Sequence, residues 1–556
     1  MDNADILIIG GGAAGAVLAA RLSENPSLRV ALVEAGQDTP PGKVPEDVAD
    51  AFPSSYANVD YFWPGLTATV RPGTAPRSFP QARVMGGGSN VMGMWALRGL
   101  AADYDGWAAA GAVGWSWTDV LPYFKRVERD VDFPNDDHGT DGPLTITRIA
   151  ERDWPGFTRT LAEAAGRKQI RTLPDLNGTE EDGVFPIPLT IDNDGTRVSS
   201  ASAYLTDAVR RRPNLRILTK TEVRTLAFQG KKIIGAHIRR EDGTVSLMRA
   251  GEVVVSAGAL HSPMLLQRSG IGNARDLSAC AINVVADLPG VGANLQNHFF
   301  THFGTVIRPG ARQSPALRRY GMVGMRLSSG IGDAPPGDLF IGFVARSGRA
   351  STGNRIGMLV ACLYSAFSRG SVALDPADPH GFPRVDFNAF GDPRDAERLL
   401  HGARVVRDLL EDEATRAVTY ESFVMPQNLP VRMFNKPGIA STVVTTAAAA
   451  VLGLNAAARR AAIRMMIGPG RLLSEIESDE RFAELVLSAA LPMFHVAGTC
   501  AIGSVVDSEA RVIGVEGLRV VDASIMPALP RANTNLPTVM VAEKCAAHIA
   551  AARRRR

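Results

Sequence analysis

Three glycines spaced Gly10-x-Gly12-x-x-Gly15 stand between an apolar run, Asp5-Ile-Leu-Ile-Ile9, and a stretch of helical composition over residues 16–23. A second apolar run, Arg29-Val-Ala-Leu-Val33, follows and stops at Glu34. That order suits a dinucleotide. Gly10 permits a tight turn, Gly12 lets the backbone approach a pyrophosphate, and Gly15 lets the helix lie close to the sheet. The helix N-terminus offers free N–H groups and a partial positive charge to the phosphates. Glu34, nineteen positions beyond Gly15, is placed to accept hydrogen bonds from a ribose. Glycine turns are common, so the motif alone is weak. Its flanking strand, helix and acid-tipped strand supply the required context.

Nine histidines are present, so a single one carries little information. His495 is set apart by Gly498-Thr499 just after it and by Asn533-Thr-Asn535 about forty residues on. A positioned histidine is the natural side chain for taking a proton near neutral pH. The competing reading makes both asparagines turn formers ahead of a helix. Ser262, His261 and His298 do not read as a hydrolytic triad, because no Gly-x-Ser-x-Gly elbow surrounds Ser262.

The chain that must position these groups has 556 residues, more than one ordinary core, so two or more substructures are expected. Hydrophobic residues at 45% and charged residues at 21% describe a folded globular protein rather than a disordered one. A net charge of +3 without aromatic–basic interleaving argues against nucleic-acid binding. The terminal Arg553-Arg-Arg-Arg556 reads as a frayed, solvated tail. Cys280, Cys362, Cys500 and Cys545 are far apart, which argues against a disulfide framework or a zinc site and predicts no metal. The nucleotide strand begins at residue 5, leaving no room for a signal peptide. Residues 441–458, rich in alanine and threonine, read as buried helix or loop and not as a membrane span. The expectation is a cytoplasmic protein without stable membrane association.

Further along, residues 39–80 are proline-rich and suit an extended cover over a cofactor. A second glycine cluster, Arg83-Val-Met-Gly-Gly-Gly-Ser-Asn90, follows, and residues 115–127 look helical. Strands are predicted at 215–218, 233–238, 252–256 and 518–522, with a closing helix over 536–551. Residues 305–490 mix β-like runs (358–364, 371–374) with helical ones (396–410, 456–466). Nucleotide-type signals therefore sit at the start, middle and end. This predicts an α/β Rossmann-like domain built from residues 1–155, 196–304 and 491–556, with a substrate-binding domain from 156–195 and 305–490 inserted into it.

Taken in order, these stretches resemble the glucose–methanol–choline (GMC) family of flavin oxidoreductases along the whole chain. Its middle signature is matched by Gly258-Ala-Leu-His-Ser262-Pro-Met-Leu-Leu266 through Ser269-Gly-Ile-Gly272. Pro289-Gly-Val-Gly-Ala-Asn294-Leu-Gln-Asn297-His298 resembles its flavin-proximal loop, with Asn297 where Asp is usual. Phe494-His495-Val-Ala-Gly498-Thr499, Val521-Asp-Ala-Ser524 and Asn533-Thr-Asn535-Leu-Pro537-Thr538 form the most specific block. Phe62-Trp-Pro64, Arg98-Gly-Leu-Ala-Ala-Asp103-Tyr104 and Gly114-Trp-Ser-Trp117 resemble bacterial oxidases of hydroxymethylfurfural and related aryl alcohols.

The resemblance implies the family fold, with the inserted domain built on an antiparallel sheet, and FAD as cofactor. It implies flavin contacts from the first turn (Gly10, Gly12, Ala13, Ala14, Gly15), from Glu34 and Ala35, and from the second cluster (Arg83, Met85, Gly86, Gly87, Ser89, Asn90, Met92, Gly93). Further contacts are implied at Val223, Ala257, Gly258, Asp522, Ala523, Asn533, Thr534, Asn535 and Thr538. His495 becomes the general base, and Asn535 the partner that hydrogen-bonds the substrate oxygen, with Asn533 turned to the flavin or the loop. Leu363 and Phe494 are candidate pocket walls, although an aromatic beside a catalytic residue is more often core. Some family members bind flavin covalently through a histidine where Met92 stands, and methionine cannot make that bond, so non-covalent FAD is expected.

The implied reaction is oxidation of a primary aromatic or furanic alcohol to the aldehyde, and on to the acid through the hydrated aldehyde. Molecular oxygen would be reduced to hydrogen peroxide. The nearest rival is a dehydrogenase passing electrons to a quinone or other carrier. From other classes come a lyase or a flavin-binding scaffold, and an intact His495 and Asn535 argue against the scaffold. The expected partners are a small alcohol and O2, in a monomer or dimer.

Overall fold

The strand Asn3–Ile9 lies in the middle of a seven-stranded sheet, which is why its run is apolar on both faces. Ile6, Leu7 and Ile8 have no exposed surface. The structure, a computed structural model, describes residues 3–348, 350–427 and 439–554. In the first sheet the order is Leu215–Leu218, Val30–Val33, Asn3–Ile9, Val245–Val255, Lys232–Arg239, Glu222–Gln229. The strands around Asn3–Ile9 run parallel, and the last three form an antiparallel meander. Leu518–Val520 pairs in parallel with the end of Val245–Val255, joining the C-terminal part of the chain to the same sheet. The helix Ala13–Leu22 packs on it beside the long C-terminal helix Asn535–Arg554.

Two glycines make the strand-to-helix turn possible. Gly10 has φ +101°, and a Cβ there would come within 2.4 Å of the Ser256 carbonyl oxygen. A Cβ on Gly15 would meet the Gly10 carbonyl oxygen at 1.8 Å, so only glycine lets the helix lie this close.

The second sheet is antiparallel, in the order Thr419–Val424, Phe299–Ile307, Ile356–Leu363, Leu339–Val344, Val323–Leu327, Gly183–Pro186. Ile356–Leu363 and Leu339–Val344 are buried along their full length. One cover is the helix Pro393–Glu411, which starts at Asp392, whose carboxylate accepts from the Arg394 N–H. It buries Leu399, Ala403, Val406 and Leu410 at alternating three- and four-residue spacing. Each buried Leu or Val there contributes about 1.5–3 kcal/mol.

Several expectations change. A domain boundary at 304/305 would cut the strand Phe299–Ile307, which belongs wholly to the second sheet. Leu491–Pro492 also pairs there rather than with the first sheet. Residues 441–458 are not a buried helix: Ile439–Leu452 is helical, but Val443 and Val444 are 62% and 55% exposed. Arg553 is no frayed tail. It lies in the C-terminal helix, and its guanidinium reaches Glu252 at 2.8 Å. Arg555 and Arg556 lie outside the described residues. The four cysteines are free and buried. Among the described residues no helix is long and apolar enough to cross a membrane.

Candidate active site

A cavity of 1330 Å³ runs from the glycine turn, between the two sheets, to the strands of the second sheet. At one end lie Gly10, Gly12, Ala13 and Ala14, with Glu34 and Ala35 beside them. Gly12 precedes the first helix, and a Cβ there would meet nothing within 4 Å, so the helix N-terminus is open to the cavity. The Glu34 carboxylate accepts from the Gly11 and Gly36 N–H groups, both at 2.7 Å. Burial pushes its pKa up, against those two hydrogen bonds. Glu34 therefore braces the glycine turn as well as facing the space where a ribose would lie. A close turn, an open helix N-terminus and an acid beside them fit a dinucleotide such as FAD.

From the second glycine cluster, Gly87, Ser89, Met92 and Gly93 line the cavity. Arg83, Met85, Gly86 and Asn90 are not part of its lining. Arg83 lies over the Trp63 ring at 4.9 Å. The Met85 N–H donates to the Gln37 carbonyl at 2.9 Å. Asn90 donates to the Met85 carbonyl at 2.6 Å and to Thr39 Oγ1 at 3.0 Å, so its amide holds the loop together and supplies no contact in place of Met92. Gly15 lies behind the turn, against Gly10.

Val223, Ala257, Gly258, Asp522, Ala523, Thr534 and Thr538 also line the cavity. Asp522 is taken up with structure: it accepts from the Gly258 N–H at 2.9 Å, Ser262 Oγ at 2.6 Å and the Ser524 N–H at 2.8 Å. Ser262 thus serves the loop and is no nucleophile.

His495, Asn533 and Asn535 face the cavity at the junction of the two sheets, with Phe494 beside them. Asn535 opens the C-terminal helix, and the preceding turn holds Asn533, whose Oδ1 accepts from the Tyr364 hydroxyl at 2.8 Å. Leu363 is not a pocket wall. It has no exposed surface and packs within the second sheet, because side chains alternate along its strand and the next residue, Tyr364, points the other way.

The sequence reading gave His298 no place among the catalytic residues, yet it touches His495. Their Nδ1 atoms lie 2.9 Å apart. One proton alone fits between two imidazole nitrogens, so one ring donates and the other accepts. The His298 ring stacks on Tyr364 at 4.4 Å, and Tyr364 stacks on Phe340 at 5.2 Å. Burial pushes the His298 pKa well down, His495 next to it adds to this, and the nearby Tyr364 and Pro530 carbonyls oppose it. Burial pushes His495 down to about 3. Both rings are neutral at pH 7.

Asn297 explains its own departure from the usual aspartate. Its Oδ1 accepts from the His298 and His495 N–H groups at 2.9 and 3.2 Å, while its Nδ2 donates to the Met493 carbonyl at 2.5 Å. A carboxylate could accept both bonds but would repel that carbonyl. His298 was legible as the neighbour of Asn297 in a flavin-proximal segment. Tyr364 had no sequence signal.

Residues 4–300 and 366–542 match the two family models described as GMC oxidoreductase. The chain is 39% identical to 5-(hydroxymethyl)furfural oxidase of Methylovorus sp. (strain MP688), over 98% of each protein. It is 32% identical to the oxygen-dependent choline dehydrogenase of Paraburkholderia xenovorans (strain LB400), covering 98% of this chain and 94% of that one. Among solved structures, pyridoxine 4-oxidase from Mesorbium loti superposes with a TM-score of 0.78 at 27% identity, over 98% of this chain and 99% of the other. A formate oxidase of Aspergillus oryzae shares the fold, with a TM-score of 0.80 at 23% identity. With both domain models matched in order and a glycine turn and histidine on one cavity, the chain belongs to the GMC oxidoreductase family and is an FAD-dependent oxidoreductase.

Proposed function

We propose that the protein oxidises primary aromatic or furanic alcohols to aldehydes, and hydrated aldehydes on to acids, with O2 reduced to hydrogen peroxide. The observation that carries this reading is a neutral His495 on the same cavity as the glycine turn, with Asn535 facing that cavity too. The 39% identity over 98% of the chain to a 5-(hydroxymethyl)furfural oxidase supports the substrate class.

FAD, when bound, supplies the two-electron acceptor for the carbinol hydride and passes the electrons to O2. The residues supply the rest. His298 keeps its proton on Nε2 and accepts at Nδ1 from His495, which leaves the His495 Nε2 lone pair free to take the hydroxyl proton. Asn535 donates to the substrate oxygen as negative charge develops there. Asn297 ties the backbone of both histidines together and so holds the base in place. Gly10, Gly12, Glu34, Gly87, Ser89 and Gly93 would hold FAD, and without a covalent bond at position 92, since the Met92 side chain has no nitrogen to form one. We place the protein in the cytoplasm, in keeping with four free cysteines.

Purified protein assayed in an oxygen electrode against a panel of alcohols tests this. Peroxide should appear in step with aldehyde for hydroxymethylfurfural and benzyl alcohol. Flavin bleaching without peroxide, reversed only by a quinone or dye, would instead identify a dehydrogenase. Acid precipitation should release all the flavin as FAD, and a yellow washed pellet would overturn non-covalent binding.

A further inference from the structure

The cavity extends beyond His495 along the strand Phe299–Ile307. Alternation sorts that strand's side chains. Thr301 and Phe303 face the helix Asp479–Ala489: Thr301 Oγ1 donates to the Val486 carbonyl at 3.1 Å, and the Phe303 ring lies 6.0 Å from that of Phe482. Phe300 and His302 face the cavity. Val360 opposes His302 across the ladder, and on its other side the Met425 N–H donates to the His302 carbonyl at 3.0 Å. Val360 and Met425 line the cavity as well, so the imidazole projects from an apolar wall.

Nothing in the family motifs singles out His302, and the proton transfer derived above does not use it. Its ring meets Phe300 edge-on at 4.7 Å and has no hydrogen-bond partner among the described residues. Burial alone pushes its pKa down to about 4, so at pH 7 it is a neutral ring with one donor and one acceptor. Half-buried on the cavity wall, the ring offers that donor and acceptor to whatever fills the cavity.

We propose that His302 is the far anchor of the substrate, hydrogen-bonding a second oxygen of the alcohol whose carbinol lies at His495. This inference rests on the alcohol-oxidase reading. It narrows the substrate class to ring alcohols with a second hydroxyl, aldehyde or ether oxygen across the ring. Scale supports it. The strand Phe299–Ile307 begins one residue after His298, whose ring touches His495, and position 302 lies four residues along the chain from 298, about 13 Å at roughly 3.3 Å per residue of extended chain. A ring with a polar arm on each side, plus a hydrogen bond of about 2.9 Å at either end, spans a distance of that order. Because His302 is neutral, it suits an uncharged oxygen better than a carboxylate.

The test compares benzene-1,4-dimethanol with benzyl alcohol in anaerobic stopped-flow reduction of the flavin, using wild type, His302→Phe and His302→Gln. Phenylalanine fills the space without hydrogen bonding, whereas glutamine restores a donor and an acceptor. For His302→Phe the apparent Kd of the diol should rise about 3- to 10-fold, the worth of one neutral hydrogen bond. Its limiting rate and the Kd of benzyl alcohol should stay unchanged, and His302→Gln should recover part of the diol affinity. Equal weakening of both alcohols would show His302 to be a structural wall. An unchanged diol Kd would also overturn the anchor. A wild type whose flavin neither alcohol reduces would overturn the alcohol-oxidase reading itself and this inference with it.

Discussion

His138 and His495 are both enclosed, yet their surroundings drive them to opposite charge states. Burial opposes a charge on His138, but hydrogen bonds to Asp130, Asp175 and Glu128 push it up to about 10. Its Nε2 lies 2.7 Å from Asp175, and its Nδ1 lies 3.2 Å from Asp130 and 3.4 Å from Glu128. Arg98 binds Glu128 and Arg148 binds Asp130, so the cations and carboxylates satisfy one another. His495 has no carboxylate partner among the described residues, and burial alone brings it down to about 3. The difference is one of neighbours rather than of depth. Carboxylates packed against the first ring make it a structural cation at neutral pH. With none against the second among the described residues, burial leaves that ring neutral.

The largest effect should come from removing the neutral ring. His495→Ala should slow anaerobic flavin reduction by roughly 10²–10⁴-fold with flavin content near wild type. Asn535→Ala should slow it too, and the double variant should lose less than the product of the single losses if both residues act on one oxygen. A His495→Ala protein that keeps its flavin and its rate would remove the base from this site.

Removing the cationic ring should instead act on stability. His138→Leu leaves buried carboxylates short of a partner and should cost about 3–5 kcal/mol in urea unfolding. The rate per bound flavin should stay near wild type. A large rate loss at unchanged stability would reverse the roles assigned to the two histidines.

pH separates them further. His138 has its folded pKa raised above the unfolded value near 6.5, so its contribution is complete below about pH 6.5 and is lost as pH rises through about 10. His495, together with His261 and His302, has its folded pKa lowered, to about 3, 4 and 4. The unfolded chain therefore takes up protons first, and stability falls as pH drops below about 6.5, by up to about 1.4 kcal/mol per unit for each group. Urea midpoints measured from pH 4 to 10 should fall at both ends, and His138→Leu should flatten only the alkaline fall.

The smallest effect concerns the link between the two active-site rings. His298→Phe keeps a ring against Tyr364 but removes the Nδ1 acceptor, so it should slow flavin reduction about tenfold. His298→Gln, whose side-chain oxygen accepts, should recover part of the rate. An unchanged rate in His298→Phe would show that His298 does not fix the tautomer of His495.

Local chain rules determined part of this protein directly. A glycine turn between two apolar strands has few backbone solutions, so Gly10, Gly12, Gly15 and Glu34 were legible from spacing and flanking elements together, and the helical runs read at 396–410 and 456–466 are helices over 393–411 and 456–467. The order of family motifs carried the two-part fold and marked His495 and Asn535. Tertiary structure decided what depends on contacts between distant residues. His298 meets His495 across 197 positions, and Tyr364 meets Asn533 across 169. Leu363 and Tyr364 are neighbours, yet the pleat of one strand sends them to opposite faces. The charge of His138 comes from Asp130 and Asp175, brought to it by the fold, because a titration state is set by what packs around a ring and not by the residues beside it in the chain.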